Sequence, residues 1–259
     1  MEIRELYQRA IRDQWNPDRD IPWDAETHWE PHEEKILKGL LSNYFISERV
    51  AMTLPAALIP VIDDVEAELF MATQANDEAR HYYTYGRRLE QLGVDTSKIY
   101  ISNEAFKTVL NQLSQTTSTI EAMAGLQLIL ESFAAPAFGS HYRALEASGK
   151  DPITLEILKR IIQDEVRHAQ FGQLWFQKHF EKHPEDREVA GRVAERVIPL
   201  ALTSLTWRSE RMKAAGIERE ADVADTLRKL TTTLDKLGVP YSQEALKPAV
   251  VEGELYVPA

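Results

Sequence analysis

Cysteine is absent from this chain, which removes disulfide frameworks, thiolate zinc sites, iron–sulfur clusters and cysteine nucleophiles from consideration. Glycine and proline are sparse, at 11 and 12 of 259 residues, so few strong turn signals interrupt the chain. An excess of positive charge is missing too. Forty-one acidic residues face 30 basic ones, a formal net charge of −11, and no Lys/Arg run is dense enough to track a phosphate backbone. Nucleic acid is therefore not an expected partner. The most apolar stretches, Ala51–Ile62 and Ala122–Phe138, fall short of the roughly 18 uninterrupted residues of a membrane span, and the charged N-terminus does not read as a signal peptide. The expectation is a soluble, cytoplasmic chain with no membrane contact, long enough to bury its own core.

What is present is helical pattern. Glu, Lys, Leu, Ala and Gln are abundant, and apolar residues recur at three- and four-residue spacing, which predicts an all-α protein. A short helix is expected over Ile3–Gln14, then an extended arm rich in Pro and Trp from Trp15 to Pro31. Four long helices follow, at about His32–Val61, Asp64–Leu92, Asn103–Ala147 (with a break near Thr116–Thr119) and Pro152–Phe180. Two more, about Asp186–Ala214 and Glu220–Leu237, precede a tail ending in Tyr256-Val257-Pro258-Ala259. Asp63-Asp64-Val65-Glu66 fits a capping box with Asp63 as the cap. Ser148-Gly149-Lys150-Asp151-Pro152 places Gly where a helix end favours a left-handed residue and Pro where the next helix begins. No linker divides the chain, which reads as one domain over 1–259, with arm 1–31, bundle 32–182 and C-terminal helices and tail 183–259.

The chemistry lies in two matching strings, Asp77-Glu78-Ala79-Arg80-His81 and Asp164-Glu165-Val166-Arg167-His168. Each contains Glu-x-x-His, which on a helix sets a carboxylate and an imidazole one turn apart on one face, able to share a metal. With seven histidines in the chain, about one Glu-x-x-His is expected by chance, whereas two copies sharing the flanking Asp and Arg are not. Glu48 and Glu131 stand in strongly apolar stretches of the helices preceding the two strings. A buried, unpaired carboxylate is costly, so each must be protonated, ion-paired or bound to metal. Glu48 and Glu78 are equidistant from position 63, and Glu131 and Glu165 from position 148. In antiparallel hairpins such pairs lie level, ~22 Å and ~25 Å from their turns at ~1.5 Å per residue. Packed together, the two hairpins make a four-helix bundle with four carboxylates and two imidazoles in its core.

This pattern resembles the ferritin-like di-metal carboxylate superfamily, across about residues 32–182. Within it the chain looks most like the ribonucleotide reductase small subunit and its ligand-binding oxidase relatives. The paired strings also resemble bacterial multicomponent monooxygenases. The resemblance implies a ferritin-like four-helix bundle with additional N- and C-terminal helices, holding two Fe ions or an Mn/Fe pair through Glu48, Glu78, His81, Glu131, Glu165 and His168. It implies that Asp164 orients His81, that Asp77 orients His168, and that Arg80 and Arg167 pair with those aspartates. Tyr85 occupies the position of the radical tyrosine of many reductase small subunits; a tyrosine that merely packs above the site is the competing reading. Val50 stands where the ligand-binding oxidases carry a cross-linked valine, but Leu126 replaces the tyrosine partner, so no such cross-link is expected. Ile161 stands where aromatic-amine N-oxygenases add a third histidine.

The resulting expectation is an O2-dependent oxidase or monooxygenase acting on a small, largely apolar molecule, with an electron donor of unspecified kind and a homodimeric assembly. Phe45, Met52, Leu128, Phe133, Ala134, Ala135 and Phe138 are candidate pocket residues, with Pro55 and Pro136 kinking the helices beside them. A ferroxidase or metal store, or a non-catalytic bundle binding a ligand or partner, are the alternatives. Trp15, Trp23 and Trp29 read as packing anchors of the arm, and His28/His32 and His179/His183 as solvated surface histidines.

Overall fold

Most helix starts in this chain are set by local side chains. The computed structural model describes residues 2–100, 104–116, 118–214 and 220–249; the final four-residue stretch of the tail lies outside them. Helix α1, Ile3–Arg12, opens with a reciprocal Glu2/Glu5 capping box. The arm that follows is not wholly irregular. Asn16 accepts from the Asp18 amide and Pro17 takes the first helical position, so one turn forms, α2 (Pro17–Asp20). Beyond it the arm wraps the molecule. Trp23 Nε1 donates to the Pro17 carbonyl at 2.7 Å, the His28 amide to the Lys150 carbonyl at 3.0 Å, and Trp29 Nε1 to Asp151 at 3.2 Å.

Helix α3 spans Pro31–Leu58 and ends in a 3-10 turn, Ile59–Val61. Helix α4 spans Val65–Gln91. Its cap is Asp64, whose carboxylate accepts from the Glu66 and Ala67 amides; this corrects the expectation of Asp63 by one residue. Glu66 does not complete a box, because its carboxylate pairs with Arg4 at 3.0 Å. The long third segment divides near the expected Thr116–Thr119, into α5 (Glu104–Gln115) and α6 (Thr119–Met123). Here the structure departs from a plain helix: Ala124–Leu130 form a π-helical turn that leads into α7, Glu131–Ser148. Gly149 ends α7 at φ 63°, and Asp151 caps α8, Pro152–Lys182. Helices α9, Asp186–Ala214, and α10, Glu220–Leu237, complete the order, and no strand occurs among the described residues.

Helices α3 and α4 pack along one another, as do α7 and α8, and α4 meets α8 across the bundle, with α1 lying over both. Helix α9 covers the π turn and α5. The buried apolar residues fall into two clusters. On α3, α4 and α8 one set ends at Phe45, begins at Tyr85 and ends at Ile161, and the other begins at Leu54, ends at Met71 and begins at Phe171. Between them lies a single buried layer of charged side chains. The stretch Thr119–Ser148 is long and apolar enough by composition to cross a membrane, with mean hydropathy 1.2 in its most apolar window, yet 61% of that window is buried inside the protein. It serves as a core helix of the bundle.

Candidate metal centre

The charged layer holds all six side chains singled out above: Glu48, Glu78, His81, Glu131, Glu165 and His168 are each no more than 4% exposed. Because α4 and α8 run level, the two Glu-x-x-His faces confront one another. The six form two overlapping groups, Glu48/Glu78/His81/Glu165 and Glu78/Glu131/Glu165/His168, with the possible ligand atoms of each group within 4.8 Å of one another. Glu78 and Glu165 belong to both. Glu78 Oε2 lies 3.0 Å from His81 Nδ1 and Glu78 Oε1 lies 3.1 Å from His168 Nδ1. Glu165 likewise turns Oε1 to His81 at 3.5 Å and Oε2 to His168 at 3.8 Å. Glu48 reaches only His81, and Glu131 only His168, each at 3.7 Å. Two carboxylates thus face both imidazoles and two face one each.

Both imidazoles turn Nδ1 inward and Nε2 outward. His81 Nε2 meets Asp164 Oδ2 at 3.1 Å and His168 Nε2 meets Asp77 Oδ2 at 3.2 Å. The aspartates are acceptors when ionised, so each takes a hydrogen bond from Nε2–H and leaves Nδ1 facing the centre, where it can ligate a metal once that nitrogen carries no proton. Arg80 bonds Asp77 at 2.6 Å and Asp164 at 2.9 Å; Arg167 bonds Asp77 at 2.7 Å and Asp164 at 2.6 Å. This closed quartet of two cations and two anions balances its own charge out of water.

Among the six Glu and His side chains, four buried atoms have no hydrogen-bond partner: Glu48 Oε1, Glu78 Oε1, Glu131 Oε2 and His168 Nδ1. Orphaned oxygen and imidazole lone pairs gathered at one point fit a pair of divalent cations. Two such ions balance four carboxylates and two neutral imidazoles to zero net charge. Without them the layer must hold protons. Burial pushes the Glu48 and Glu131 carboxyls well above the usual range, reinforced by neighbouring carboxylates. Burial opposes charging of His81 and His168, but the surrounding carboxylates outweigh it and raise both imidazoles well above their ordinary value. Burial would raise Glu78 as well, yet the two imidazoles hold it far below the carboxylate range.

A cavity of about 120 Å³ opens beside the four glutamates, lined by Leu126, Leu130, Phe133, Ala134 and Phe138 among others. Of the expected pocket residues, Phe45, Met52, Leu128 and Ala135 are not on its wall. Phe45 instead stacks on Tyr82 with ring centres 4.2 Å apart. Ala201, Ser204 and Leu205 of α9 supply a wall that lay outside the expected bundle. Val50 and Leu126 both line the cavity.

Against this geometry, a protein-family model described as "Protein of unknown function (DUF455)" matches residues 48–221, which takes in all six side chains. The chain belongs to that DUF455 family. Solved structures add the fold. One mutant of an R2-like ligand-binding oxidase, with an anaerobically reconstituted Mn/Fe cofactor, superposes with TM-score 0.74 at 21% identity, covering 91% of this chain and 93% of its own. Another mutant, with an aerobically reconstituted Mn/Fe cofactor, gives 0.73 at 19% identity over the same shares. This DUF455 member therefore has the ferritin-like helical fold of those oxidases.

Two features of the centre escaped the sequence. Trp15, expected only to pack, is 5% exposed, donates Nε1 to Asp164 Oδ2 at 2.9 Å and lies under the Arg80 guanidinium at 4.9 Å. Gln74, one turn before Glu78, donates Nε2 to Glu131 Oε1 at 2.8 Å. The second had a sequence signal, a Gln at i−4 on the ligand face of α4; the arm carrying Trp15 has no periodicity to place it. Tyr85 is fully buried against Tyr44, ring centres 5.4 Å apart, and its hydroxyl has no hydrogen-bond partner. His28 and His32 are exposed; His179 bonds Asp186 at 2.7 Å.

Proposed function

We propose that this protein is an O2-dependent dinuclear non-haem oxidoreductase, an oxidase or monooxygenase. Glu48, Glu78, His81, Glu131, Glu165 and His168 would hold two Fe ions or an Mn/Fe pair, and the substrate would be a small, largely apolar organic molecule. The observation that carries this reading is the convergence of four unpartnered buried lone pairs on a centre that borders an apolar cavity. The Mn/Fe cofactor of the R2-like oxidases of the same fold supports the choice of ions.

When bound, the ions would supply O2 reduction. The protein's own part is positioning and exclusion of water. Glu78 and Glu165, each with one oxygen toward either imidazole, would keep the ions together. Asp77 and Asp164 hold the proton on Nε2 of each imidazole, so that Nδ1 stays a ligand. Leu126, Phe133 and Phe138 present hydrocarbon to the cavity, whose volume suits a molecule of about benzene size.

Loading the metal-free protein with Fe(II), or with Mn(II) and Fe(II), and exposing it to O2 tests the reading. Oxygen consumption with a transient visible absorption is expected, and is lost in Glu131→Ala. A fully loaded protein that consumes no oxygen would sink the proposal. Incorporation of labelled O2 into product separates a monooxygenase from an oxidase. A homodimer in the cytoplasm, fed by an external electron donor, is the setting we propose.

A further inference from the structure

We infer that Gln74 is a positioning residue that restricts Glu131 to a single metal-binding oxygen and so makes the two metal positions chemically inequivalent. The inference rests on the dinuclear reading above and deepens it.

Glu48 and Glu131 each face a single imidazole, yet their surroundings differ. Glu131 Oε1 accepts from Gln74 Nε2 at 2.8 Å, while its Oε2, without a partner, faces His168 at 3.7 Å. Glu48 Oε1 has no partner at all, and its Oε2 faces His81 at 3.7 Å. A metal-bound carboxylate only accepts hydrogen bonds, so the Gln74 group facing Glu131 must be its NH2. That leaves the Gln74 carbonyl to receive a donor, and Gln127 Nε2 stands 2.7 Å from it. The order of donors is forced: Gln127 to Gln74, Gln74 to Glu131.

The far end of this chain is anchored in backbone. Gln127 lies in the π turn, which packs so closely on α8 that a Cβ at Gly172 would come within 2.4 Å of the Gln127 carbonyl oxygen. The π turn thus sets Gln127, Gln127 sets the Gln74 amide, and the amide occupies one oxygen of Glu131. An ion shared with His168 would meet a rigid carboxylate with one oxygen to offer. An ion shared with His81 would meet a carboxylate with no hydrogen bond on Oε1, so that both oxygens could serve.

Titration of the metal-free protein with Mn(II), with unbound ion followed by its paramagnetic resonance signal, tests this. His81→Ala and His168→Ala identify the two binding steps. Gln74→Leu, close in size but without the donor, is expected to weaken the His168-linked step about 10- to 100-fold, the usual effect of removing a hydrogen bond to a metal ligand, and to leave the His81-linked step unchanged. Gln127→Leu should weaken the same step less, and Met71→Leu, which removes only the sulfur contact to Gln127, should change neither. Gln74→Met, unbranched like glutamine, serves if the leucine variant does not fold, as judged by its circular dichroism. Equal weakening of both steps, or no change in either, overturns the inference. Uptake of fewer than two ions by the wild-type protein overturns the dinuclear reading and the inference together.

Discussion

Glu131 and Tyr85 show how differently two buried polar side chains are used. Glu131 has one oxygen held by Gln74 and one pointing at the centre. If the six side chains hold two ions as proposed, truncating it would remove a ligand from one position only, so Glu131→Ala is expected to lower metal content from about two ions per chain to about one. Elemental analysis checks this, and full occupancy in the variant would refute the six-ligand assignment. Tyr85 carries a hydroxyl with no partner, and burial holds its ionisation well above the usual range. An unpaired buried hydroxyl costs about 1–3 kcal/mol, so Tyr85→Phe is expected to leave stability unchanged or raise it by about 1 kcal/mol in urea denaturation. A clear loss of stability would mean that the hydroxyl has a partner worth keeping.

Among elements, the π turn of Ala124–Leu130 has the most exacting packing. Gly172 of α8 lies where any side chain would strike the Gln127 carbonyl, a backbone atom that cannot swing aside. Gly172→Ala is therefore expected to cost about 1–3 kcal/mol, as overpacking does, and to weaken metal binding through the displaced Gln127. Chemical denaturation with a parallel metal titration would show both effects; an undisturbed variant would mean that α8 can move away freely. The Arg80–Asp77–Arg167–Asp164 quartet joins α4 to α8 by a different principle, closed charge balance out of water. Removing one member leaves a buried charge uncompensated, and Arg167→Met is expected to destabilise by about 3–5 kcal/mol, measurable by the same unfolding experiment.

For the molecule as a whole, the layer of six side chains couples stability to pH with opposite consequences for the free and loaded states. Glu48, Glu131, His81 and His168 are all raised in the fold, so these four groups bind more protons in the folded metal-free protein than in the unfolded chain, whereas Glu78, lowered, acts oppositely and only at acid pH. The stability from the four raised groups is complete at low pH and is lost as pH rises, from about 4.5 upward for the carboxyls and about 6.5 upward for the imidazoles. Metal displaces those protons, so loading tightens with rising pH. The expected result is a difference in Tm between loaded and free protein that widens from about pH 6 to about pH 8. Calorimetry decides, and a constant difference would contradict the assignment.

Much of this was present in the chain as written. Helical periodicity is local, so the six long helices, the break between Gln115 and Thr119 and the left-handed end at Gly149 follow from nearest neighbours. The level pairing of Glu48 with Glu78 and of Glu131 with Glu165 follows from counting residues to a turn, because rise per residue is constant. Asp63 in place of Asp64 was a one-residue error of the kind that caps invite, since adjacent aspartates differ only in the backbone angles they meet. Tertiary structure alone decided the rest. The π turn has the composition of an α-helix and announces itself only through hydrogen bonds displaced by packing on α8 and α9. The wall from α9, and Trp15 on Asp164 across 149 residues, join segments with no common period. Which oxygen of Glu131 is left without a partner follows from Gln74 bonding the other, a choice between two chemically identical atoms that no sequence can record.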